Sequence, residues 1–302
     1  MAGTSLAPPV LALTSVPSET AATALPMALV APKDRMHWAM SAPFFAVHLG
    51  GVAVLVFAHW TWHAWAIALG SYVLRMFGVT GGYHRYFSHR TYKTSRVFQF
   101  VLALVAMSST QKGILWWASH HRHHHRHSDE ADDVHSMKLR GFWWSHVGWI
   151  LSTRWDHTDM ERIKDLAKFP ELRFLNRFHL VPTVLYLAGL YGLWGVEGLL
   201  WGYVLSTVIV WHGTFTINSL SHWLGTRVYN TTDESRNSWV LAIVTMGEGW
   251  HNNHHHFQAS TRQGFLWWEF DITYMVLRTL RLFRIVWDLR EPPPQVVAAR
   301  SF

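Results

Sequence analysis

Residues 42–58 read APFFAVHLGGVAVLVFA, an apolar stretch that contains no Lys, Arg, Asp or Glu. After the turn HWTWH, a second apolar stretch covers residues 64–80 and contains one charged residue, Arg75. An α-helix rises 1.5 Å per residue, so about 20 residues cross the ~30 Å hydrocarbon core of a bilayer. With the tryptophans at their flanks placed at the membrane surface, both stretches reach that length. We therefore predict a hairpin of two membrane-spanning helices over about 42–59 and 63–80.

A second hairpin of the same kind is predicted later in the chain. The apolar segments LVPTVLYLAGLYGLW and LLWGYVLSTVIVWHGTFTINSL are separated only by GVEG and indicate spans over about 180–195 and 199–220. The apolar stretch 97–107 is too short to span and is expected to form a buried or interfacial helix. The predicted fold is an all-α integral membrane protein with four transmembrane helices and a cytoplasmic helical cap.

Composition and charge support a membrane protein and give its orientation. Half of the 302 residues are hydrophobic and only 15% are charged, which argues against a disordered chain. Lys and Arg concentrate in residues 80–176 and 223–302, whereas the turns 59–63 and 195–198 contain none. The positive-inside rule therefore places both termini and the middle segment in the cytoplasm. Because the basic residues share the chain with four long apolar spans, no nucleic-acid partner is expected.

The two ends of the chain are predicted to be tails of a single membrane domain. Residues 1–36 are rich in Ala, Ser, Thr and Pro and are expected to be mobile. Prolines interrupt this segment and no basic residue precedes Lys33, so it does not fit a secretory signal. We assign residues 37–290 to the domain and 291–302 to a C-terminal tail.

The chain has no Cys and 22 His. The absence of thiolates excludes disulfide scaffolds, Cys-ligated zinc, iron–sulfur clusters and thiol catalysis. Clustered histidines suggest a metal site. There is no HExxH motif for a zinc peptidase and no GxGxxG motif for a nicotinamide cofactor.

The histidines form clusters beside the cytoplasmic ends of the predicted spans. The clusters are His84 with His89, the run 120–127 (HHRHHHRH), His222, and the group His251, His254 and His255. Histidines three and four residues apart share one helix face, so each HxxHH turn can bind one metal or divide its ligands between two. In the run 120–127, two HxxHH registers are open, one that uses His121, His124 and His125 and one that uses His120, His123 and His124.

The number of imidazoles favours two metal ions over one. Two histidines from the first cluster, three from each HxxHH turn and His222 exceed the four ligands of a closed zinc site. Imidazole also binds iron, copper and nickel, so the residues alone leave the metal open. Carboxylates that fix the orientation of ligand imidazoles are expected among Asp129, Asp132, Asp133 and Glu248.

Taken together, the sequence blocks resemble the integral-membrane fatty acyl desaturase family of the stearoyl-CoA Δ9-desaturase type. The matching blocks are GVTGGYHRYFSHRTYKTS, LWWASHHRHHHRHSD, RGFWWSHVGWIL, NSLSHWLGTRVYNTTDESRNSW and GEGWHNNHHHF. The family pattern W-x-x-x-H-R-x-H-H begins here at Trp117, which selects the register with His121, His124 and His125. The resemblance implies nine iron ligands, with Asn218 reaching one iron through water: His84, His89, His121, His124, His125, His222, His251, His254 and His255.

The resemblance also implies a kinked acyl tunnel. Gln111, Trp117 and Thr214 match the residues at its kink, while Tyr72 and Tyr83 fall where the family closes its far end. Two features depart from the family. Glu130-Ala-Asp-Asp-Val-His135 lacks the usual Pro, so we expect a local loop difference, and no His-Pro-Gly-Gly haem-binding block is present.

The implied function is O2-dependent insertion of a cis double bond, at Δ9, into a saturated acyl-CoA or acyl-lipid of the membrane. Electrons would come from a separate ferredoxin, cytochrome b5-like protein or reductase. A related hydroxylase and a histidine-rich metal carrier are the alternatives. The sequence leaves the acyl carrier open, because the basic stretch with Arg154, Arg162, Lys164, Lys168, Arg173 and Arg177 fits CoA phosphates and an anionic membrane surface equally well.

Overall fold

The computed structural model describes residues 34–301, and this part of the chain is mostly helical. The predicted N-terminal tail therefore lies outside the described residues except for 34–36. The α-helices are α1 (Trp38–Phe57), α2 (Trp62–Phe77), α3 (Arg96–Met107), α4 (Ile114–His127), α5 (Met137–Trp143), α6 (Trp149–Leu151), α7 (Lys164–Ala167), α8 (Pro170–Arg177), α9 (Val181–Glu197), α10 (Ser206–Ser219), α11 (Trp239–Val244), α12 (His251–His256), α13 (Ile272–Leu282) and α14 (Pro294–Ala298). π-Helical segments cover Gly78–Ser88, Trp144–Gly148 and Gly198–Leu205, and 3₁₀ turns cover Met160–Ile163 and Leu220–His222.

Helix α1 presents apolar side chains to its surroundings rather than to a protein core. Its mean hydropathy is 1.9, and Leu49, Val52, Val56 and Phe57 are all more than half exposed. A soluble protein rarely exposes such a continuous apolar face, so this helix is suited to contact with lipid.

The later apolar hairpin appears as one helical run of 42 residues, Val181–His222. The run reverses at Gly195, whose φ of 55° and ψ of −140° are not helical. After the reversal, the chain packs back on itself so closely that a Cβ at Gly198 would lie 2.5 Å from the carbonyl oxygen of Leu190. Two antiparallel helices therefore meet here, close to the predicted bounds 180–195 and 199–220.

By length and apolar composition, two helical runs of the described residues can cross a membrane, Trp38–Phe57 and Val181–His222. Helix α2 is shorter and contains Arg75, and it continues directly into the π-helix Gly78–Ser88. The prediction of four spans therefore stays a prediction. The apolar stretch 97–107 forms α3, as expected for a short buried or interfacial helix.

The helical cap packs around the π-helix Gly78–Ser88. The main hydrophobic core joins this segment to α3, α4 and α13. Strands β1 (Lys93–Thr94) and β2 (Val286–Trp287) form a short antiparallel pair beside it. Within the predicted C-terminal tail, α14 packs Val296 and Val297 against the cap.

We predict that Gly195→Ala destabilises the protein, because a methyl group disfavours the positive φ that the reversal requires. The cost should be about 1–3 kcal/mol, seen as a lower midpoint of thermal unfolding in detergent. Gly192→Ala is the matched control, since both sites have open space for a Cβ but Gly192 lies within α9. The control should unfold at the wild-type temperature or above it. Equal losses in both variants would contradict the reversal at Gly195.

Candidate metal centre and acyl cavity

The nine predicted histidines come together as two adjacent groups. Within each group, one ring nitrogen of every histidine lies within 4.8 Å of the others. The first histidine group contains His84, His89, His121, His125 and His254. The second histidine group contains His124, His222, His251 and His255.

The π-helix explains the spacing of His84 and His89. In an α-helix, residues five apart point about 140° away from each other. Here the His89 N–H donates to the His84 carbonyl at 3.2 Å, the i+5 to i bond of a π-helix. This wider turn brings the two residues close to one face, and their ring centroids lie 4.8 Å apart. The HxxxxH spacing is thus matched to π-helical geometry.

Helices α4 and α12 each divide their histidines between the two groups. In α4, His121 and His125 are four residues apart and join the first histidine group, whereas His124 joins the second. In α12, His251 and His255 join the second group and His254 joins the first. Helix α4 therefore gives two histidines to the first group and one to the second, and α12 does the reverse. With His84 and His89 in the first group and His222 in the second, the groups contain five and four imidazoles.

The remaining histidines of the run 120–127 point elsewhere. The His120 Nδ1 lies 2.8 Å from the Trp116 carbonyl, and the His123 Nε2 lies 2.8 Å from the Asp132 carbonyl. The His127 Nδ1 lies 3.0 Å from Glu130 at the surface. The register that uses His121, His124 and His125 is the one in which the imidazoles converge.

The Nε2 atoms of both groups face inward. The distances between them are 3.0 Å for His84 and His254, 2.8 Å for His89 and His121, and 3.1 Å for His222 and His251. The Nε2 atoms of His124 and His255 are buried and have no hydrogen-bond partner. Buried polar atoms are normally paired, so these convergent nitrogens fit metal ions as their partners.

Carboxylates hold the outer nitrogens of four histidines. The His84 Nδ1 lies 2.6 Å from Glu248 and the His124 Nδ1 lies 2.7 Å from Asp133. The His222 Nδ1 lies 3.3 Å from Asp129, and the His255 Nδ1 lies 2.5 Å from Asp233. A carboxylate at Nδ1 fixes the tautomer that leaves Nε2 free for a metal.

Three of the four expected carboxylates occupy these positions. Asp132 differs: its backbone carbonyl contacts His123, and the residue is exposed. The sequence reasoning missed Asp233, which lies in the block NTTDESRN. Its distance of 22 residues from His255 gave no spacing signal.

A buried arginine holds Glu248 in place. The Arg85 guanidinium is fully buried and contacts Glu248 at 3.0 Å and Asp271 at 2.8 Å. Unpaired burial of either charge would be costly, so the cluster needs all three groups. Arg85 follows His84 directly in the π-helix, and it thereby positions the carboxylate that orients its neighbour.

Burial keeps most of the imidazoles neutral. Desolvation, with help from neighbouring imidazoles, lowers the pKa well below the usual value for His89, His121, His125, His251 and His254. Burial lowers the pKa of His255 to about 4 despite Asp233. Burial also disfavours protonation of His124, but the adjacent Asp133 outweighs it and raises the pKa. Neutral imidazole is the form that binds metal.

His135 is a further buried histidine that the sequence reasoning missed. It forms a smaller candidate group with His124 and Asp133, and its Nδ1 has no hydrogen-bond partner. Its ring lies 4.1 Å from that of His124, and the residue lines the neighbouring cavity. His135 thus contacts a member of the second histidine group and also lines the cavity. The loop difference expected at Glu130–His135 stays a prediction.

A cavity of about 360 Å³ reaches the first histidine group, where His121 lines it. Gln111, Trp117 and Thr214 all line it, together with His121 and Asn218. The Gln111 Nε2 donates to the Thr214 Oγ1 at 2.9 Å, which joins the loop before α4 to α10. Most of the lining surface is apolar, as expected for a site that holds an acyl chain.

Tyr72 and Tyr83 do not line this cavity. The Tyr72 hydroxyl donates to the Val244 carbonyl, and its ring contacts Gly213. The Tyr83 hydroxyl donates to the Lys112 carbonyl at 2.7 Å, and its ring stacks on Trp117 at 5.2 Å. The assignment of both tyrosines to the far end of a tunnel stays a prediction. Tyr83 lies directly behind Trp117, which forms part of the cavity wall.

The cavity opens between the starts of α1 and α9. Met40 and Leu180 both line it and are 62% and 55% exposed. Among the described lining residues, Lys112 is the single Lys or Arg, and it is paired with Asp156.

None of the residues of the basic stretch lines the cavity, although Arg154 directly follows the lining residue Thr153 and Arg177 lies three residues before Leu180. Arg154 pairs with Asp34, Arg162 with Asp159, and Lys164 with Glu161. Arg173 donates to the Ala167 carbonyl. Lys168 lies over the ring of Phe169, and Arg177 lies over the ring of Phe178.

Comparison with known proteins gives consistent matches. The model of the fatty acid desaturase family matches residues 60–280. An sn-1 stearoyl-lipid 9-desaturase of Anabaena variabilis is 36% identical over 85% of this chain and 95% of its own length. A delta-9 acyl-lipid desaturase of Arabidopsis thaliana is 34% identical over 85% and 84%, and an acyl-CoA 5-desaturase of Anemone leveillei is 34% identical over 84% and 81%.

We predict that Asp233→Asn weakens metal binding by about 10- to 100-fold, because His255 loses the carboxylate that orients it. Metal retained by purified protein after dialysis against graded chelator, measured by mass spectrometry, tests this. Asp132→Asn is the control, since its exposed side chain contacts no histidine of either group, and it should retain metal like the wild type. Identical retention by both variants would rule out the proposed orienting role of Asp233.

Proposed function

This chain belongs to the fatty acid desaturase family, and we propose that it inserts a cis double bond at Δ9 of a saturated fatty acyl chain, using two iron ions and O2. The chain is therefore an oxidoreductase that desaturates fatty acyl chains. The observation that carries the proposal is the convergence of nine histidines in two adjacent groups, one member of which, His121, lines an apolar cavity.

The two histidine groups would each hold one iron. We propose that the first group supplies five imidazoles and the second supplies four, with Asn218 contributing through water. When bound, the irons supply with O2 an oxidant able to remove hydrogen from an unactivated methylene. The two histidine groups fit iron ions because most of their imidazoles are neutral, their Nε2 atoms converge, and buried carboxylates would balance the charge of the cations.

The protein's own residues would position the acyl chain and exclude water. Trp117 and the Gln111–Thr214 pair line the cavity next to His121, so a chain lying along them passes the first histidine group. The overall reaction converts two methylenes, O2, two electrons and two protons into a cis alkene and two waters. The apolar wall keeps bulk water from the reacting carbons.

The electrons would come from a separate protein, a ferredoxin, a cytochrome b5-like protein or a reductase. Reduction of O2 to water needs two electrons beyond those removed from the acyl chain. The chain has no Cys for an iron–sulfur cluster. An electron-donating partner is thus part of the proposal.

We propose four membrane spans with the metal centre on the cytoplasmic side. The hairpin turns before α2 and at Gly195 contain no Lys or Arg, whereas the histidine groups lie in the basic part of the chain. Two helical runs already meet the length and apolarity that spanning requires. Because the run Val181–His222 reverses at Gly195 and would supply two spans, α2 would complete the four.

We also propose that the acyl chain is carried by a membrane lipid rather than by CoA. The mouth lies between the starts of two apolar helices and is rimmed by exposed Met40 and Leu180, so a lipid chain can enter laterally. Among the described residues that line the cavity, Lys112 is the one Lys or Arg, and it is paired with Asp156. A CoA headgroup with several phosphates would need free cations there. Of the three relatives named above, two are lipid desaturases and one is an acyl-CoA desaturase, so the assignment rests on the mouth and not on the relatives.

The first test is product analysis in a host without its own desaturase. Cells that express the chain and receive deuterated stearate should form a product that has lost two deuterium atoms, one from each of two adjacent carbons, C9 and C10. His124→Ala should abolish this product, because the second histidine group loses a member. His127→Ala, which alters a surface histidine bonded to Glu130, should retain it. An oxygenated acyl chain would instead identify a hydroxylase.

The second test asks which carrier is used. In a pulse of deuterated stearate in the same cells, labelled oleoyl groups should appear first in membrane lipids and only later in acyl-CoA. The physical reason is that exposed apolar side chains rim the mouth, so a lipid chain can enter laterally. Labelled oleoyl-CoA that precedes the lipid label would contradict the lipid assignment but leave desaturation intact.

A further inference from the structure

We propose that Tyr83 is a positioning residue that sets which carbon of the acyl chain is oxidised. It would act through the 110–112 loop and through Trp117, without lining the cavity itself. This inference rests on the proposed function and deepens it, because it assigns the regiochemistry to particular contacts.

The 110–112 loop is held in a strained conformation. Thr110 and Lys112 have φ values of 58° and 66°, in the left-handed region that residues with a Cβ rarely adopt. Such conformations persist only where surrounding contacts impose them. The Thr110 hydroxyl contacts Thr183 and Tyr203 at 3.1 Å each, and the Lys112 carbonyl accepts from Tyr83.

Gln111 lies between the two strained residues. Its side chain crosses to Thr214 and forms part of the cavity wall. A loop that relaxed to negative φ would move this side chain relative to the acyl chain. By holding the 110–112 loop, the Tyr83 hydroxyl therefore helps to fix the position of the Gln111 side chain against the acyl chain.

A column of stacked rings connects the same tyrosine to the metal centre. The Tyr83 ring stacks on Trp117 at 5.2 Å, and Trp117 stacks on His121 at 4.8 Å, each with an interplanar angle of 21°. Trp117 lines the cavity and His121 belongs to the first histidine group. Tyr83 thus contacts both the loop with Gln111 and the column that ends at the metal ligand. The distance between the Gln111 side chain in the cavity wall and the metal bound near His121 then selects the carbon of the acyl chain that is oxidised.

The test compares Tyr83→Phe with Tyr92→Phe. Both tyrosines are fully buried, and both donate to a backbone carbonyl at 2.7 Å, Tyr83 to Lys112 and Tyr92 to Gly81. Each change removes one hydroxyl and keeps the ring. For Tyr83→Phe, the ratio of displaced to main double-bond positions should rise about fivefold, which corresponds to about 1 kcal/mol. For Tyr92→Phe, the ratio should equal that of the wild type.

Hydrogen exchange gives a readout that does not need turnover. Amides of residues 110–112 should exchange about fivefold faster in Tyr83→Phe than in Tyr92→Phe. Lys112→Gly is the second variant, because glycine adopts positive φ and other conformations equally well, and it should displace the oxidised carbon in the same way.

An unchanged product ratio in Tyr83→Phe, or the same displacement in Tyr92→Phe, would overturn the inference. A hydroxylated wild-type product would overturn the proposed function instead, and the position of its hydroxyl group would still report on Tyr83.

Discussion

The metal centre depends on the hydrogen bonds between buried carboxylates and the outer nitrogens of the histidines. A buried imidazole can rotate and change tautomer unless its Nδ1 has a partner. Asp133 and Asp233 fix two members of the second histidine group in this way. Burial raises the pKa of each carboxyl, but the histidine and the further hydrogen bonds of the carboxyl together lower it overall. Only part of the buried negative charge is matched by Arg85. Bound cations would balance the rest, which agrees with two metal ions.

The same constraint explains why the histidines lie on so many segments. Each carboxylate must approach from behind the ring that it orients, so residues distant in the chain have to pack around the centre. Asp233 is 22 residues before His255, and Glu248 reaches His84 from 164 residues away in the chain. The π-helix adds its own adjustment, since the wider turn brings His84 and His89 to one side. The site is therefore complete only when these segments of the cap are packed around it.

Much of this arrangement could be predicted from local patterns. The apolar stretches predicted the bounds of the long helices to within a few residues. The HxxHH spacing allowed each turn to bind one metal or to divide its ligands between two, and the number of imidazoles favoured two metals. The division of His124 from His121 and His125 could not be derived, because it depends on where α12 packs against α4. Asp233 and His135 were missed for the same reason, since their partners are defined by packing and not by spacing. The family resemblance, rather than periodicity, pointed to Gln111, Trp117 and Thr214.

The surroundings of the histidines and the lining of the cavity differ in charge. Buried carboxylates around the histidine groups prepare a site for cations, whereas Lys112, the single Lys or Arg among the described lining residues, is already paired. With the proposed lipid carrier, the substrate would be selected by the fit of its apolar chain and not by attraction to its headgroup. Selection by fit requires a rigid wall, because a soft wall would accept the same chain at several depths. The stacked rings of Trp117 and His121, supported from behind by Tyr83, provide that rigidity where the wall meets the metal centre.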